Sequence, residues 1–320
     1  MTTKNNSINP LVTVAMVTYN SSEYVRMAIE SVLASSYINF ELIISDDCST
    51  DNTWEIINEI KDPRIRAFQN ETNLKEYPNR NRCIDLARGK YLIFIDGDDL
   101  ILPHGLEIYV RYAESTENVG MIIQKGYFNN IIFPAQLSSD EILKWEYADK
   151  SLLSSSFSSN FFILDILRSI GKLDENLRTG DDEIRARIAL HYPILFIPGW
   201  LTWPRETPGQ ASSQLNNGIG IIESIKKNEL IIQNCSNIKI VAIATEKRKE
   251  LYQKLTKEYI KAYFKRDRKT LDNIKVEPLT IQLLISAFLF QKPKTYKSSY
   301  SPSNPYYDHE TFHKYANIQY

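Results

Sequence analysis

The sequence predicts an α/β fold: a mixed, mostly parallel sheet flanked by helices, followed by a helical C-terminal extension. Short apolar runs alternate with amphipathic stretches from Leu11 to about Val119, as in strand–helix units around a parallel sheet. Two of these runs end in acidic turns, and ligand-binding loops commonly follow the strands of such a sheet. After about Asn216 the apolar residues recur at helical spacing.

Composition narrows the class of protein. The chain of 320 residues is 43% hydrophobic and 24% charged, as in globular proteins that bury a core. Its net charge of −1 favours no nucleic-acid partner. Cys48, Cys83 and Cys235 show neither CxxC nor Cys/His spacing, so we expect neither a disulfide framework nor a zinc site.

Strands and helices alternate in the first part of the chain. Four apolar runs predict strands at Leu11–Thr18, Phe40–Ser45, Arg64–Phe68 and Tyr91–Ile95. Helices are predicted between them at Tyr24–Leu33, Trp54–Ile60 and Pro78–Arg88. Ser21 and Ser22 are candidate caps of the first helix, and Pro103 suits the opening of a further one.

The rest of the chain is less regular up to about residue 215. One helix is predicted at Asp182–Leu190 and one strand at Pro193–Ile197. We expect four regions in all: a polar tail at 1–10, a domain at 11–215 whose halves meet near residue 119, a helical region at 216–295, and an extended or partly disordered tail at 296–320.

Neither a signal peptide nor a membrane span is predicted. The first ten residues are polar, and no apolar run reaches the roughly 18 residues of a membrane-spanning helix. Leu279–Phe290 is shorter than that and contains polar breaks, so it is expected to form a buried or interfacial helix. Lys247–Lys269 holds ten basic residues against three acidic ones, which suits a solvated amphipathic helix or one that docks on an anionic membrane.

Two acidic turns follow predicted strands. Asp46 and Asp47 end the second strand, and Asp96, Asp98 and Asp99 follow the fourth. Because the carboxyl ends of parallel strands meet at one edge of a sheet, we expect these five carboxylates to face one crevice.

So many carboxylates in one crevice require an explanation. Two like charges about 4 Å apart repel by about 4 kcal/mol at the effective dielectric constant of a protein surface. A divalent cation would relieve this repulsion, and carboxylate oxygens suit Mg²⁺ or Mn²⁺. Gly97 would let a diphosphate approach the backbone. The alternative is a solvated acidic turn that caps the next helix.

Four motifs in order resemble those of the family 2 glycosyltransferases, which have the GT-A fold. They lie in the segments VAMVTYNSSEYVRMAIESVLASSYINFELIISDDCSTDNT, NETNLKEYPNRNRCIDLARGKYLIFIDGDD and GKLDENLRTGDDEIRARIAL. The resemblance covers about residues 11–210. It implies a Rossmann-like mixed sheet, and the combination of motifs is more specific than the short DxD motif alone.

The resemblance implies a nucleotide-sugar site. Its contacts would come from Thr18, Tyr19, Asn20, Asp46, Asp47, Arg80, Asp96 and Arg205. Thr18, Tyr19 and Asp47 would line the nucleoside pocket, and Arg80 would lie near the nucleotide end of the donor. Arg205 belongs to a segment that resembles a mobile loop closing over the donor.

The resemblance also implies a metal and a base. Asp96 would contact the ribose, or the cation through water, while Asp98 and Asp99 would hold Mn²⁺ or Mg²⁺ between the two phosphates. Asp182 would be the general base that takes the proton of the acceptor hydroxyl. A single base suffices for inversion, whereas retaining hydrolases need a second carboxylate as nucleophile.

The sequence departs from the family pattern in four places. Cys48 replaces the usual glycine after the first acid pair, and Asp181 replaces a glutamate. Thr207 stands where many members have a histidine, so any role of that histidine is lost. The QxxRW motif is missing, so a processive polysaccharide synthase is not expected.

These features and the resemblance predict a metal-dependent inverting transferase that moves a sugar from a nucleotide sugar to a glycan or lipid-linked acceptor. The resemblance implies that this donor is a UDP-sugar. We expect the transferase to serve cell-surface polysaccharide synthesis in the cytoplasm, at the inner face of the membrane. The alternatives are a degenerate protein that binds glycans or partners, and a phosphatase of the haloacid dehalogenase type.

Trp200 and Trp203 are expected to pack, or alternatively to stack on an acceptor sugar.

Overall fold

The fold is described from a computed structural model for residues 9–126, 131–147, 151–177, 180–207 and 217–275. Its strands are β1 (Val12–Thr18), β2 (Phe40–Asp46), β3 (Ile65–Gln69), β4 (Tyr91–Phe94), β5 (Leu100–Ile101), β6 (Met121–Lys125), β7 (Ala135–Leu137), β8 (Asn160–Ile163), β9 (Ile194–Pro198) and β10 (Thr202–Trp203). The predicted helix at Leu279–Phe290 and the tail at 296–320 lie outside the described residues.

Helices separate most of these strands. They are α1 (Val25–Leu33), α2 (Thr53–Glu59), α3 (Glu76–Leu86), α4 (Gly105–Ser115), α5 (Ser139–Glu146), α6 (Leu164–Ser169), α7 (Asp181–His191), α8 (Asn217–Asn234), α9 (Ile238–Lys265) and α10 (Arg268–Lys275). The mixed α/β prediction is confirmed. The four strands predicted in the first part of the chain form within one residue of their expected ends.

Eight strands form one sheet in the order β3-β2-β1-β4-β8-β6-β9-β7. β3, β2, β1 and β4 run parallel to one another, whereas β8 is antiparallel to both of its neighbours. The chain moves outward from β1 through β2 to β3 and then returns to place β4 on the other side of β1. This reversal makes the carboxyl ends of β1 and β4 a topological switch point, where open α/β sheets bind ligands.

The sheet has a hydrophobic core on each face. Alternate residues of β1 point to opposite faces, so Val14 and Met16 pack with α1 and α4, whereas Ala15 packs with α3 and α7. Residues on both faces are fully buried, as expected for parallel strands that helices cover on both sides.

The start of α1 differs from the prediction. No described side chain caps this helix, and its first residue is Val25. The Ser21 carbonyl accepts hydrogen bonds from the amides of Tyr24 and Val25, both 2.9 Å long. The Ser22 amide instead donates to Asp51 (3.1 Å), because the loop before α2 folds back over this turn.

The C-terminal helices pack on the α7 side of the sheet. Ile231 of α8 and Ile240 and Ala244 of α9 belong to the same core as α3 and α7. Leu251 and Leu255 of α9 are buried in a smaller core with α8 and α10. In the part of the chain described here, no helix combines the length and the apolar character needed to cross a membrane.

Candidate active site

The loops that follow β1, β2 and β4 meet at one edge of the sheet. The Gly97 amide donates to the Val17 carbonyl (3.1 Å), and the Asp47 amide donates to the Thr18 carbonyl (2.8 Å). Both acidic turns therefore lie beside the end of β1, at one edge of the sheet, although Asp46 is fully buried. The residues predicted at the ends of β1, β2 and β4 come together at this edge of the sheet.

Asp46 is fully buried and has its carboxylate surrounded by hydrogen-bond donors. It accepts from the hydroxyls of Thr18 (2.9 Å) and Ser49 (2.5 Å), from the Ser49 amide (3.0 Å) and from the Gln69 side chain (3.3 Å). These bonds compensate for the loss of water around the buried charge. Asp46 and Thr18 thus order the two loops that border the crevice.

Asp47 supports the loop that leads into α3. It is 5% exposed and accepts from the Asn70 side chain (2.7 Å) and from the amides of Leu74 (2.7 Å) and Lys75 (2.9 Å). Lys75 has a φ of 78°, which is a costly backbone conformation for lysine. The carboxylate of Asp47 therefore holds a sharp turn directly beside the crevice.

Tyr19 and Asn20 follow the end of β1 at the same edge of the sheet. The Tyr19 side chain is 51% exposed. The Asn20 side-chain oxygen accepts from the Thr50 amide (2.8 Å), and the Asn20 amide donates to the Ser49 hydroxyl (2.9 Å). Asn20 thus joins the loop after β1 to the loop after β2 and leaves the Tyr19 ring accessible.

Arg80 of α3 fixes Asp96 in place. Its guanidinium donates two hydrogen bonds, both 2.7 Å long, to the two oxygens of Asp96. It also contacts Glu76 (3.2 Å) and lies over the rings of Phe94 (5.2 Å) and Phe157 (4.6 Å). Arg80 is 4% exposed, so it supports Asp96 from beneath, and its predicted contact with a donor remains a prediction.

Asp98 and Asp99 bind the segment that follows β10. The Arg205 amide donates to Asp99 (3.0 Å), and Arg205 Nε donates to the Asp98 carbonyl (3.0 Å). The Thr207 hydroxyl donates to Asp98 Oδ2 (2.9 Å). Burial raises the pKa of Asp99 to about 7, with further contributions from the charges of Asp96 and Asp98.

The carboxylates of this turn suit a divalent cation. Their oxygens are the hard ligands that Mg²⁺ and Mn²⁺ prefer. Burial is the main cause of the raised pKa of Asp99, and a cation would relieve the smaller contribution from the charges of Asp96 and Asp98. Among the described residues, no three acidic, His or Cys side chains are grouped so that they alone could hold a metal ion. The metal-binding role of Asp98 and Asp99 therefore remains a prediction, and Mg²⁺ commonly completes its shell with phosphate oxygens and water.

The structure changes the interpretation of Gly97. A Cβ at this position would lie 2.8 Å from Thr18 Cγ2, so the loop after β1 requires the glycine. Packing against Thr18 is thus one reason for the glycine, and the approach of a diphosphate to Gly97 remains a prediction.

The expected packing of the two tryptophans is wrong. Trp200 is 79% exposed and Trp203 is 57% exposed. Trp200 has a φ of 78°, which turns the chain sharply after β9. Arg205 lies over the Trp203 ring at 5.5 Å and over the Tyr24 ring at 5.0 Å. Both indole rings therefore border the segment that covers Asp98.

Asp182 lies in the first turn of α7 with its side chain 44% exposed. Its oxygens accept a 2.7 Å hydrogen bond from Arg185 and lie 3.9 Å from Lys227 Nζ. Burial raises the pKa of Asp182, but the charges of Arg185 and Lys227 outweigh it and lower the pKa below its usual value. Asp182 is thus ionised at neutral pH, which is the form a general base needs.

A chain of contacts joins α7 to the acidic turn. Tyr77 donates to Asp181 (2.9 Å) and accepts from the Gly180 amide (2.6 Å). Tyr77 precedes Arg80 by less than one turn of α3, and Arg80 holds Asp96. Asp181 stands where the family pattern has a longer glutamate. Through Tyr77 and Arg80, it connects the helix of the predicted base to the predicted donor site.

Several charged residues near Asp182 were not predicted from the sequence. Arg185 could have been found, because residues three apart lie on the same side of a helix. Lys125 on β6 and Lys227 on α8 carry no comparable signal. They approach Asp182 because of how the helices pack on the sheet.

The fold is of the GT-A type, a mixed sheet flanked by helices. The structure resembles S. aureus TarS 1–349 in complex with UDP-GlcNAc, with a TM-score of 0.59, 19% identity, and coverage of 86% of this chain and 79% of that chain. It also resembles the mannosyltransferase PcManGT from Pyrobaculum calidifontis in complex with GDP-Man and Mn²⁺. There the TM-score is 0.59 at 13% identity, with 89% of this chain and 76% of that chain covered.

Residues 13–165 match the glycosyl transferase family 2 model. Through this segment, which is just under half of the chain, the chain resembles glycosyltransferase family 2. An uncharacterized glycosyltransferase of Methanocaldococcus jannaschii is 33% identical over 184 residues, which are 54% of this chain and 62% of that protein. The Escherichia coli UDP-Glc:alpha-D-GlcNAc-diphosphoundecaprenol beta-1,3-glucosyltransferase WfaP is 33% identical over 142 residues, 42% of this chain and 56% of that protein. The chain thus spans less than two thirds of either relative.

Proposed function

We propose that this chain is a metal-dependent, inverting glycosyltransferase that moves a sugar from a UDP-sugar to a hydroxyl of a glycan or lipid-linked acceptor. The reaction would serve the synthesis of a cell-surface polysaccharide. The observation that carries this proposal is the acidic turn at 96–99, which lies at the switch point of the sheet and is joined to α7 through Tyr77. This connection supports a donor position and a base position within one site.

Each of the site residues has a separate role in the proposed reaction. Asp98 and Asp99 would hold Mn²⁺ or Mg²⁺, which supplies positive charge to the leaving diphosphate when it is bound. Arg80 keeps Asp96 oriented, and Arg205 covers the acidic turn. Asp182 would take the proton of the acceptor hydroxyl as this oxygen attacks the opposite face of the sugar.

The choice of donor and acceptor rests on the relatives. WfaP is named for transfer from UDP-Glc to a diphosphoundecaprenol-linked sugar, and TarS was solved with UDP-GlcNAc. We extend these two properties to this chain as a UDP-sugar donor and an acceptor sugar linked to a lipid through a diphosphate.

A UDP-release assay on the full chain, with Mn²⁺, a panel of UDP-sugars and a lipid-linked acceptor, tests the proposal. Asp182→Asn should lower kcat by about a hundredfold or more, as expected for loss of a general base. Asp165→Asn, a change of an exposed acid in α6, is the matched control and should leave kcat unchanged.

Three outcomes would contradict parts of this proposal. Turnover that survives Asp182→Asn excludes this residue as the base. No turnover with any donor favours the degenerate, binding-only alternative. Release of phosphate from a phosphomonoester would favour the phosphatase alternative, which would use Asp96 as nucleophile although Arg80 occupies both of its oxygens.

The end of α9 supports a location at the inner face of the membrane. Tyr263 and Phe264 are 64% and 80% exposed, with ring centroids 5.9 Å apart. Exposed Lys261, Lys265 and Arg266 lie beside them. Aromatic rings next to basic side chains suit the interface of an anionic bilayer.

Vesicle co-sedimentation tests this location. The chain should sediment with phosphatidylglycerol vesicles but not with phosphatidylcholine vesicles. Changing both Tyr263 and Phe264 to serine should abolish sedimentation, whereas Ile238→Ser, at an 83% exposed residue at the other end of α9, should not. Equal sedimentation of all variants, or none with either lipid, would exclude this surface.

A further inference from the structure

Five charged side chains form a cationic cluster beside the predicted base: Lys125, Glu146, Asp182, Arg185 and Lys227. Arg185 is hydrogen-bonded to Asp182, while Lys227 is paired with Glu146 and lies 3.9 Å from Asp182. Lys125 lies close enough to interact electrostatically with three of the others. Three of these five side chains are basic and two are acidic.

The hydrogen bonding of Arg185 is incomplete. The side chain is 2% exposed, and one of its nitrogens donates to Asp182. Its Nε and Nη1 atoms find no hydrogen-bond partner within the described part of the chain. A buried charged group with unused donors is costly, and such a group indicates an absent ligand or water.

Lys125 adds a third positive side chain to the cluster. Burial and the charge of Arg185 lower its pKa to about 8, although Glu146 and Asp182 act in the opposite direction. Its ammonium group donates to the Ser154 carbonyl, a neutral partner. The cluster as a whole therefore favours an added anion.

We propose that the cationic cluster binds the phosphate of a phosphate-linked acceptor, while a hydroxyl of the acceptor sugar faces Asp182. This inference rests on the proposed function, because it assumes that Asp182 meets an acceptor. The diphosphate of the donor would lie at a different place, beside Asp98 and Asp99. The phosphate of the acceptor makes and breaks no bond, and its role is to position the sugar.

The position of the cluster fits this role. An acceptor linked through its anomeric carbon carries the phosphate on one side of the ring and its free hydroxyls on the other. Asp182 is half exposed and bridges Arg185 and Lys227, so a ring placed at the base brings its phosphate to the same cations. A diphosphate, with several acceptor oxygens, matches the two unused Arg185 donors better than a neutral glycan does.

Isothermal titration calorimetry on the full chain tests the proposal directly. With UDP and Mn²⁺ present to fill the donor site, we compare a short alkyl-diphosphate-linked N-acetylglucosamine with the uncharged alkyl glycoside of the same sugar. Lys125→Met should weaken binding of the diphosphate probe by about tenfold, the loss of about one charge-assisted hydrogen bond. Binding of the uncharged glycoside should stay the same.

Two further variants distinguish the effect of losing the positive charge from a general effect on the fold. Lys125→Arg keeps the positive charge and should retain most of the affinity for the diphosphate probe. Lys90→Met removes an exposed lysine that pairs with Glu114 at 2.7 Å, and it should change the binding of neither probe.

The outcomes also separate this inference from the proposed function. Equal weakening of both probes by Lys125→Met, or no weakening at all, overturns the phosphate site. Lysine-dependent binding in a chain that transfers no sugar supports the phosphate site and contradicts the transferase. Transfer that does not depend on Lys125 with either acceptor supports the transferase and contradicts the phosphate site.

Discussion

Cys48 adopts a backbone conformation that suits glycine. Its φ is 62°, in the left-handed region that costs a residue with a Cβ about 1–2 kcal/mol. Related sequences are expected to have glycine at this position, and the structure gives the reason. The turn after β2 must bend sharply so that Asp47 and Ser49 can both reach their partners.

Cys48→Gly should therefore raise the free energy of unfolding. The strain removed exceeds the added flexibility of glycine, which costs about 0.5–1 kcal/mol, so we expect a net gain of about 0.5–1 kcal/mol in urea denaturation. Cys48→Ala keeps the Cβ and is the control, with no such gain. A destabilised glycine variant would show that the contact from Cys48 Sγ to the Glu71 carbonyl (3.8 Å) outweighs the strain.

The acidic residues of the site were predictable because each directly follows an apolar strand. What could not be predicted is how their oxygens are used. The partners of Asp47 come from a loop at 70–75 whose conformation no local pattern specifies. The pairing of Arg80 with Asp96 likewise depends on how α3 lies against β4, which periodicity does not define.

At the level of elements, Asp51 ties the start of α2 to the turn before α1. It accepts from the amides of Thr53 (3.0 Å) and Ser22 (3.1 Å) and from the Thr53 hydroxyl (2.5 Å). Burial raises the pKa of Asp51, but the hydrogen bonds from Thr53 and Ser22 outweigh it and lower the pKa. The ionised carboxylate is therefore the form that joins the two helices.

Asp51→Ala should cost about 1 kcal/mol of stability at pH 7, the usual size of such a capping contribution. Because the pKa is lower in the folded state, the contribution is complete above the unfolded value of about 4 and is lost as pH falls through the folded value. The difference between parent and variant should thus shrink in urea denaturation below about pH 4. Asp165→Asn should show no such pH-dependent difference, and a difference for Asp51→Ala that persists at pH 2 would contradict the ionic role.

Sequence patterns predicted long elements better than short ones. The strands of the parallel half were found because their apolar runs are unbroken and bounded by polar turns. The two-residue strands β5 and β10 pair with each other across about 100 residues of chain and are too short to show any period. Their pairing nevertheless brings Arg205 to the acidic turn. Two strands that the sequence did not predict thus position a residue that it did predict.

For the whole molecule, the division expected at residue 215 can be tested. Ile231 of α8 is fully buried in the core that also contains α3 and α7. Ile231→Ala should destabilise the protein by about 2–4 kcal/mol through lost burial and a cavity. Because the core is shared, the sheet and the C-terminal helices should unfold together.

Tryptophan fluorescence can check this cooperativity. All four tryptophans precede residue 216, so their emission reports on the sheet part of the chain, while circular dichroism also follows α8 and α9. Ile231→Ala should shift both urea midpoints equally, and Ile238→Ala, at an exposed residue, should shift neither. A shift of the dichroism signal alone would mean that the helical region folds as a separate domain.

The bond from the Arg205 amide to Asp99 spans 106 residues of sequence, which has a consequence during synthesis on the ribosome. The acidic turn emerges early, whereas the segment that covers it and the helix that carries Asp182 emerge much later. A nascent chain stopped between these points exposes a repulsive set of carboxylates without its covering segment or its predicted base. Prematurely terminated chains should therefore lack a complete site even where their first strands have already paired.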